Sequence, residues 1–215
     1  YEPLGENFEK TAEEAMEGLK KELDKVQEYH PYTVAACGHG HLDLAWLWRT
    51  NQARKKGKRT FLNVLGLLER HREFRYSQTQ AQLYQWMEKD LELFPKVQKA
   101  VKEGRWEILG GMWVEPDCNL PSGESLARQF LLFSSYMQKM FKTKGSPVVW
   151  LPDTFGFCGQ LPQLMKEAGY QYFATAKLSW NQYNKMPSEY FQWEGIDGNR
   201  VLAYIVSTAK PGWWG

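Results

Sequence analysis

The sequence is short of cysteine. It has three in 215 residues, Cys37, Cys118 and Cys158, and no CxxC pair. An odd, widely spaced set excludes a disulfide-stapled scaffold and reads as reduced thiols, which points to the cytoplasm. No run approaches the roughly 18 to 20 apolar residues of a membrane span, and no signal peptide is visible, so no membrane partner is expected. Charge of one sign is missing as well. The 27 Lys and Arg face 25 Asp and Glu, a formal net charge of +2, and so weak a field argues against nucleic acid as a partner. Internal repeats and low-complexity segments are absent. The basic cluster from Arg54 to Arg59 is read as a solvated helix face. The chain begins at Tyr1 and stops at Trp213-Trp214-Gly215, soon after a strand-like segment, and is read as a piece of something longer.

Aromatic residues are abundant, at 15% with ten Trp and eleven Tyr. Such rings stack on pyranose faces in sugar-binding proteins, but they also fill ordinary cores, and most are assigned to the core here. The hydrophobic content of 43% is that of a globular protein, and the length allows one sizeable core.

Apolar spacing over Thr11 to Tyr29 predicts a helix, opened by a Thr11/Glu14 capping box and ended by Pro31. Thr33 to Cys37 is a short apolar run read as a buried strand. Helices are predicted over Asn51 to Arg72, Gln80 to Lys102 with an interruption near Pro95, Gly123 to Phe141 and Leu161 to Ala168. Between them lie strand patterns at Phe74 to Ser77, Trp106 to Leu109, Pro147 to Leu151 and Tyr172 to Ala174. Two last strands, Tyr190 to Trp193 and Arg200 to Val206, flank the turn Gly195-Ile196-Asp197-Gly198. Strands alternating with helices imply βαβ units, a mostly parallel sheet, and an α/β barrel or open α/β fold. In either, residues just past the strand C-termini form the functional face.

Three segments at such positions carry chemistry. In Gly38-His39-Gly40-His41-Leu42-Asp43, residues two apart on an extended chain point the same way, so His41 and Asp43 can reach one ion. His39 shares that parity and is open as a third ligand, a supporting group or neither. A hydrogen-bonded His-rich loop without metal is the competing reading. In Trp150-Leu151-Pro152-Asp153-Thr154-Phe155-Gly156, Asp153 would share the face of the His41 loop, where a carboxylate can serve as a nucleophile and also bind the ion, or it simply caps the helix that follows. Gly110 to Glu124 packs three carboxylates, a Trp and an Asn into one loop, which suits hydroxyl recognition, with Ser122 as a helix cap.

These residues carry a resemblance. GHGHLDLAWLW, GGMWVEPDCNLPSGES, WLPDTFGFCGQLPQL, Ala176 to Asn181 and FQWEGIDGNRVL resemble, in the same order, the α-mannosidases of glycoside hydrolase family 38. They are most similar to the cytosolic, broad-specificity branch with bacterial members. The resemblance implies an α/β fold of the irregular, seven-stranded β/α barrel type, only partly covered by this chain. Residues 1–30 would be a helical lead-in, and 31–215 the first part of the catalytic domain. It implies zinc (Zn2+) on His41, Asp43 and Asp153, with Co2+ or another divalent ion able to take the same ligands. Asp153 would also be the nucleophile. Trp46 and Phe155 would line the sugar site, and Lys177 stands where other branches place an Arg, without its bidentate fork. The implied substrate is an α-mannoside oligosaccharide, and a homo-oligomer of the full-length protein is left open. The fourth metal ligand and the general acid/base would lie beyond residue 215, so the fragment alone is expected to be inactive, with Asp117 an unfavoured substitute acid. A metal-dependent carbohydrate deacetylase and a degenerate sugar-binding module are the competing readings.

Overall fold

The structure, a computed structural model, describes residues 7–25, 33, 35–181, 183–184 and 186–206. The chain divides into two units, Tyr1–Ala36 and Cys37–Gly215. The first carries helix α1 (Phe8–Leu23). It starts a turn earlier than the Thr11/Glu14 pattern predicts. The Thr11 hydroxyl is therefore no N-cap and donates back to the carbonyls of Asn7 and Phe8, both at 3.0 Å. The expected stretch of that helix from 26 to 29, and Pro31, lie outside the described residues.

The second unit alternates strand and helix: β1 (Gly38–His39), α2 (Thr50–Arg70), β2 (Tyr76–Gln78), α3 (Ala81–Met87), α4 (Leu93–Lys102), β3 (Trp106–Ile108), α5 (Gly123–Phe141), β4 (Val148–Trp150), α6 (Leu161–Glu167), β5 (Tyr172–Thr175), β6 (Tyr190–Glu194) and β7 (Arg200–Ile205). Strands β1, β2 and β3 form one parallel sheet in that order, and β4-β5-β7-β6 form a second. In the second sheet only β6 runs antiparallel, as the return limb of a hairpin. Its turn is closed by Gly195 N–H to Asn199 C=O at 2.8 Å, with Gly198 at φ +83°, a conformation that glycine adopts without strain. The architecture is thus mixed α/β, and among the described residues the two sheets do not close into a barrel.

Most predicted elements appear within a few residues, and the deviations have local causes. Residues 35–37 are exposed coil, not buried strand, and Val34 lies outside the described residues. A strand needs a partner, and β2 offers a ladder only from Tyr76, which pairs with Gly38. Gly38 allows that approach, since a Cβ there would meet the Phe74 ring at 2.8 Å. The helix expected over Gln80 to Lys102 is two helices separated by residues 88–92, where the Asp90 carboxylate accepts the N–H groups of Glu92 and Leu93. Pro95 falls in the first turn of α4, where its missing N–H costs no helical bond. Ser122 caps α5 as expected, its Oγ accepting the Ser125 N–H at 3.2 Å.

Two clusters of buried side chains hold the sheets. One joins α2, α3, α4 and α5 to the first sheet through Phe61, Leu65, Tyr84, Trp106 and Phe133. The other packs Phe130, Leu151, Leu161, Met165 and Phe173 on the second sheet. In the first cluster the Trp106 indole meets Phe61, Tyr76 and Tyr84 edge to face, and its N–H donates to the Tyr84 hydroxyl at 2.9 Å. Helix α5 serves both cores, Phe130 facing one and Phe133 the other. Cys118 is buried and unbridged, and burial pushes its thiol up to about 12, so it behaves as a small core residue. Replacing Trp106 with Ala is expected to cost about 3 to 5 kcal/mol. Calorimetry of the full-length protein should show a lowered transition, and an unchanged transition would contradict this core.

Candidate active site

Parallel strands send their C-terminal ends in one direction, and five of them deliver the polar residues. The chain leaving β1 carries His41 and Asp43, that leaving β2 carries Thr79 and Gln80, and that leaving β3 carries Glu115. The chain leaving β4 carries Asp153, and that leaving β5 carries Lys177. The expected functional face is therefore where the topology puts it.

One nitrogen, one oxygen of Asp43 and one of Asp153 come together there. The ligand atoms of His41, Asp43 and Asp153 all lie within 4.8 Å of one another. His41 Nε2 is 3.5 Å from Asp43 Oδ1 and 3.3 Å from Asp153 Oδ2. An imidazole and two carboxylates are donors that suit zinc and its neighbours in the first transition row, so the residues fit a divalent ion. The other ring nitrogen, Nδ1, is 2.6 Å from Glu115 Oε2. Burial alone would lower the His41 pKa. The hydrogen bond and charge of Glu115, together with the charges of Asp153 and Asp43, outweigh it and raise the pKa above 6.5.

Asp153 is also pinned from its far side. Lys177 Nζ lies 2.5 Å from its Oδ1, 3.6 Å from the centre of the Trp180 ring and 4.5 Å from that of Phe155. The ammonium is thus held by a carboxylate and two ring faces, a setting that strengthens a cation–π contact. Asp153 caps no helix, because the next one, α6, begins only at Leu161. Its loop is tied to the Glu115 loop by Thr154 Oγ1, which donates to the Pro116 carbonyl at 3.2 Å. Gly156, at φ +134°, lies where a Cβ would meet Asn119 Nδ2 at 2.5 Å, so the two loops can approach only with glycine there.

His39 shares its parity with His41 but points elsewhere. Nδ1 donates to the Ser77 carbonyl at 3.0 Å, and the ring meets Trp150 edge-on at 5.4 Å. Burial holds its pKa below the ordinary value, so it rests as a neutral, partly buried histidine. Phe155 is 79% exposed and Trp46 72%. Phe155 belongs to the cluster through Lys177, whereas Trp46 leans edge-on against Trp48 with ring centres 6.3 Å apart. Asp117 is surface-exposed and curls back on its own loop, its Oδ1 accepting the N–H groups of Leu120 and Asn119. Those bonds hold its carboxyl below the usual range, which unsuits it to donate a proton. Three polar contributors, Thr79, Gln80 and Glu115, had no assigned role in the sequence. Glu115 was one of three carboxylates in a crowded loop, and Gln80 had only a place at a helix start.

The chain was compared with known proteins. Residues 31–211 match the model of the glycosyl hydrolases family 38 N-terminal domain. The chain is 41% identical over 201 residues to Alpha-mannosidase G of Dictyostelium discoideum, covering 93% of this chain and 18% of that protein. It is 42% identical over 175 residues to human Alpha-mannosidase 2C1, covering 81% and 17%. Among solved structures, an alpha-mannosidase from Enterococcus faecalis V583 superposes with a TM-score of 0.70 at 26% identity, over 79% of this chain and 19% of that one. The chain thus spans under a fifth of the length of these relatives.

The different settings of the two histidines generate a direct test. His41→Ala should weaken zinc binding by the full-length protein by about a hundredfold or more, whereas His39→Gln should leave it within a few-fold of the unaltered protein. Competition with a chromogenic chelator measures both, and equal losses would contradict the placement.

Proposed function

The chain belongs to glycosyl hydrolase family 38, and from that premise we propose that its protein is a retaining α-mannosidase that removes terminal α-linked mannose from oligosaccharides. The observation that carries the reading is the meeting of His41, Asp43 and Asp153 at one point, with Lys177 against the far oxygen of Asp153. A lone carboxylate past a strand has many uses. One placed between an imidazole and a clamped ammonium, beside an exposed aromatic ring, suits attack on a sugar carbon.

In this reading His41, Asp43 and Asp153 hold a divalent ion, zinc or cobalt, which when bound would polarise and orient the hydroxyls of the terminal mannose. Lys177 fixes the rotation of the Asp153 carboxylate. Phe155, and Trp46 once the sugar is seated, offer ring faces to the pyranose and keep water from its apolar side. Asp153 attacks the anomeric carbon as the glycosidic bond breaks, forming a covalent glycosyl-enzyme with inversion. A carboxylic acid from elsewhere in the parent protein protonates the departing oxygen. The same group then takes a proton from water, which displaces Asp153 with a second inversion, so the configuration is retained. The two carboxyl groups should stand about 5 to 5.5 Å apart in the whole enzyme. Residues 31–215 would open the catalytic domain, an irregular β/α barrel completed by the rest of the protein, with 1–30 as a helical lead-in. Among the described residues no helix is long and apolar enough to cross a membrane. We place the protein in the cytoplasm on its cysteine usage.

Full-length protein should hydrolyse an aryl α-mannoside, lose that activity to a chelator and regain it with zinc. Proton NMR should show α-mannose as the first product, and Asp153→Asn should lower kcat by about a thousandfold or more. First-formed β-mannose would refute retention, and activity indifferent to chelator would refute the metal reading.

A further inference from the structure

Glu115 is the most deeply committed carboxylate of the site, yet it is not one of the three residues whose ligand atoms converge. Its side chain is 5% exposed, against 36% for Asp43 and 32% for Asp153. Both oxygens are engaged. Oε2 meets His41 Nδ1 at 2.6 Å, and Oε1 accepts the Thr79 hydroxyl at 2.5 Å. Its backbone N–H donates to Gln80 Oε1 at 3.1 Å, while Gln80 Nε2 donates to the Leu42 carbonyl at 2.9 Å. One glutamine therefore ties the Glu115 loop to the segment between His41 and Asp43. Gln80 does so at φ +65°, a strained value for a residue with a Cβ, and is fully buried. The preceding glutamine, Gln78, donates to the Gly40 carbonyl at 3.1 Å.

Burying a carboxylate is costly unless its oxygens are paired. Here the Thr79 hydroxyl takes one oxygen and the His41 imidazole the other, and the second pairing has a chemical consequence. An acceptor at Nδ1 holds a ring proton there, so Nε2, between Asp43 and Asp153, is the nitrogen left to exchange its proton for a cation. Charge points the same way. Asp43, Asp153 and Glu115 against Lys177 leave two negative charges gathered about the imidazole, the complement of a divalent cation.

We propose that Glu115, braced by Thr79 and Gln80, is a positioning residue that orients His41 and selects its metal-binding tautomer. The inference rests on the metal reading above and adds to it a residue 74 positions from the histidine it serves. It acts through His41 and touches neither metal nor sugar.

Zinc affinity of the full-length, metal-stripped protein tests this, measured by competition with a chromogenic chelator. Glu115→Ala should weaken zinc binding about 10- to 100-fold. Glu115→Gln, whose amide oxygen can still accept the Nδ1 proton, should recover most of that loss, and its metal-free melting temperature should match the unaltered protein. A merely structural role would not produce this ordering at unchanged stability. Should Glu115→Ala fail to fold, Thr79→Val carries the same test, because it removes the donor to Oε1 and should weaken zinc severalfold. Unaltered affinity in Glu115→Ala or, where that does not fold, in Thr79→Val, or equal losses in Ala and Gln, would overturn the positioning role alone. Failure of the unaltered protein to take up zinc would overturn the metal reading, and this inference with it.

Discussion

The His41 imidazole faces two ways at once. Nδ1 is spent on a buried glutamate, and Nε2 looks out at two half-exposed aspartates. The rest of the site follows from keeping that ring in place. An imidazole has two soft torsions and no charge to anchor it when neutral, so its direction must come from its partners. Strand β1 supplies the approach, Gln78 at the end of β2 and Gln80 just past it grip the carbonyls on either side of His41, and the loop after β3 brings the glutamate. Remove the grip and the three ligand atoms have no reason to converge.

That grip depends on the parallel pairing of β1 with β2 and of β2 with β3. Strands β1 to β5 end on one edge of their sheets, so residues from five separate segments reach one region without a long loop having to be ordered for each. The helices pay the entropic cost elsewhere, in the two cores where α5 packs Phe130 and Phe133 to opposite clusters. Lys177 shows the same economy on the far side of Asp153. Its ammonium is held by two aromatic faces, which restrains a flexible side chain at the one place where a stray charge would disturb the carboxylate.

Legibility in the sequence followed distance along the chain. Helices α2, α5 and α6 were readable, α5 with its cap at Ser122, because the signals that mark a helix are local. The family resemblance was readable because five motifs stand in order, and the family match upholds it. The His41/Asp43 pair was readable from parity. The same rule left His39 open, because its parity is identical, and only its place in β1 turns it toward Ser77. The start of β1 was missed because an apolar run says nothing about where its partner begins. Glu115 was missed for the same reason on a larger scale. Its bond to His41 depends on the registers of β1 with β2 and of β2 with β3, and no periodicity encodes a register between segments 74 residues apart.

The central claim is that one ion binds where the three ligand atoms meet. A crystal of the full-length protein soaked in zinc, with data collected on both sides of the zinc absorption edge, tests it directly. The account predicts an anomalous peak about 2.0 to 2.2 Å from His41 Nε2 and from oxygens of Asp43 and Asp153, with Glu115 still on Nδ1. A peak bound elsewhere, or zinc on Glu115 with His41 turned away, would contradict it.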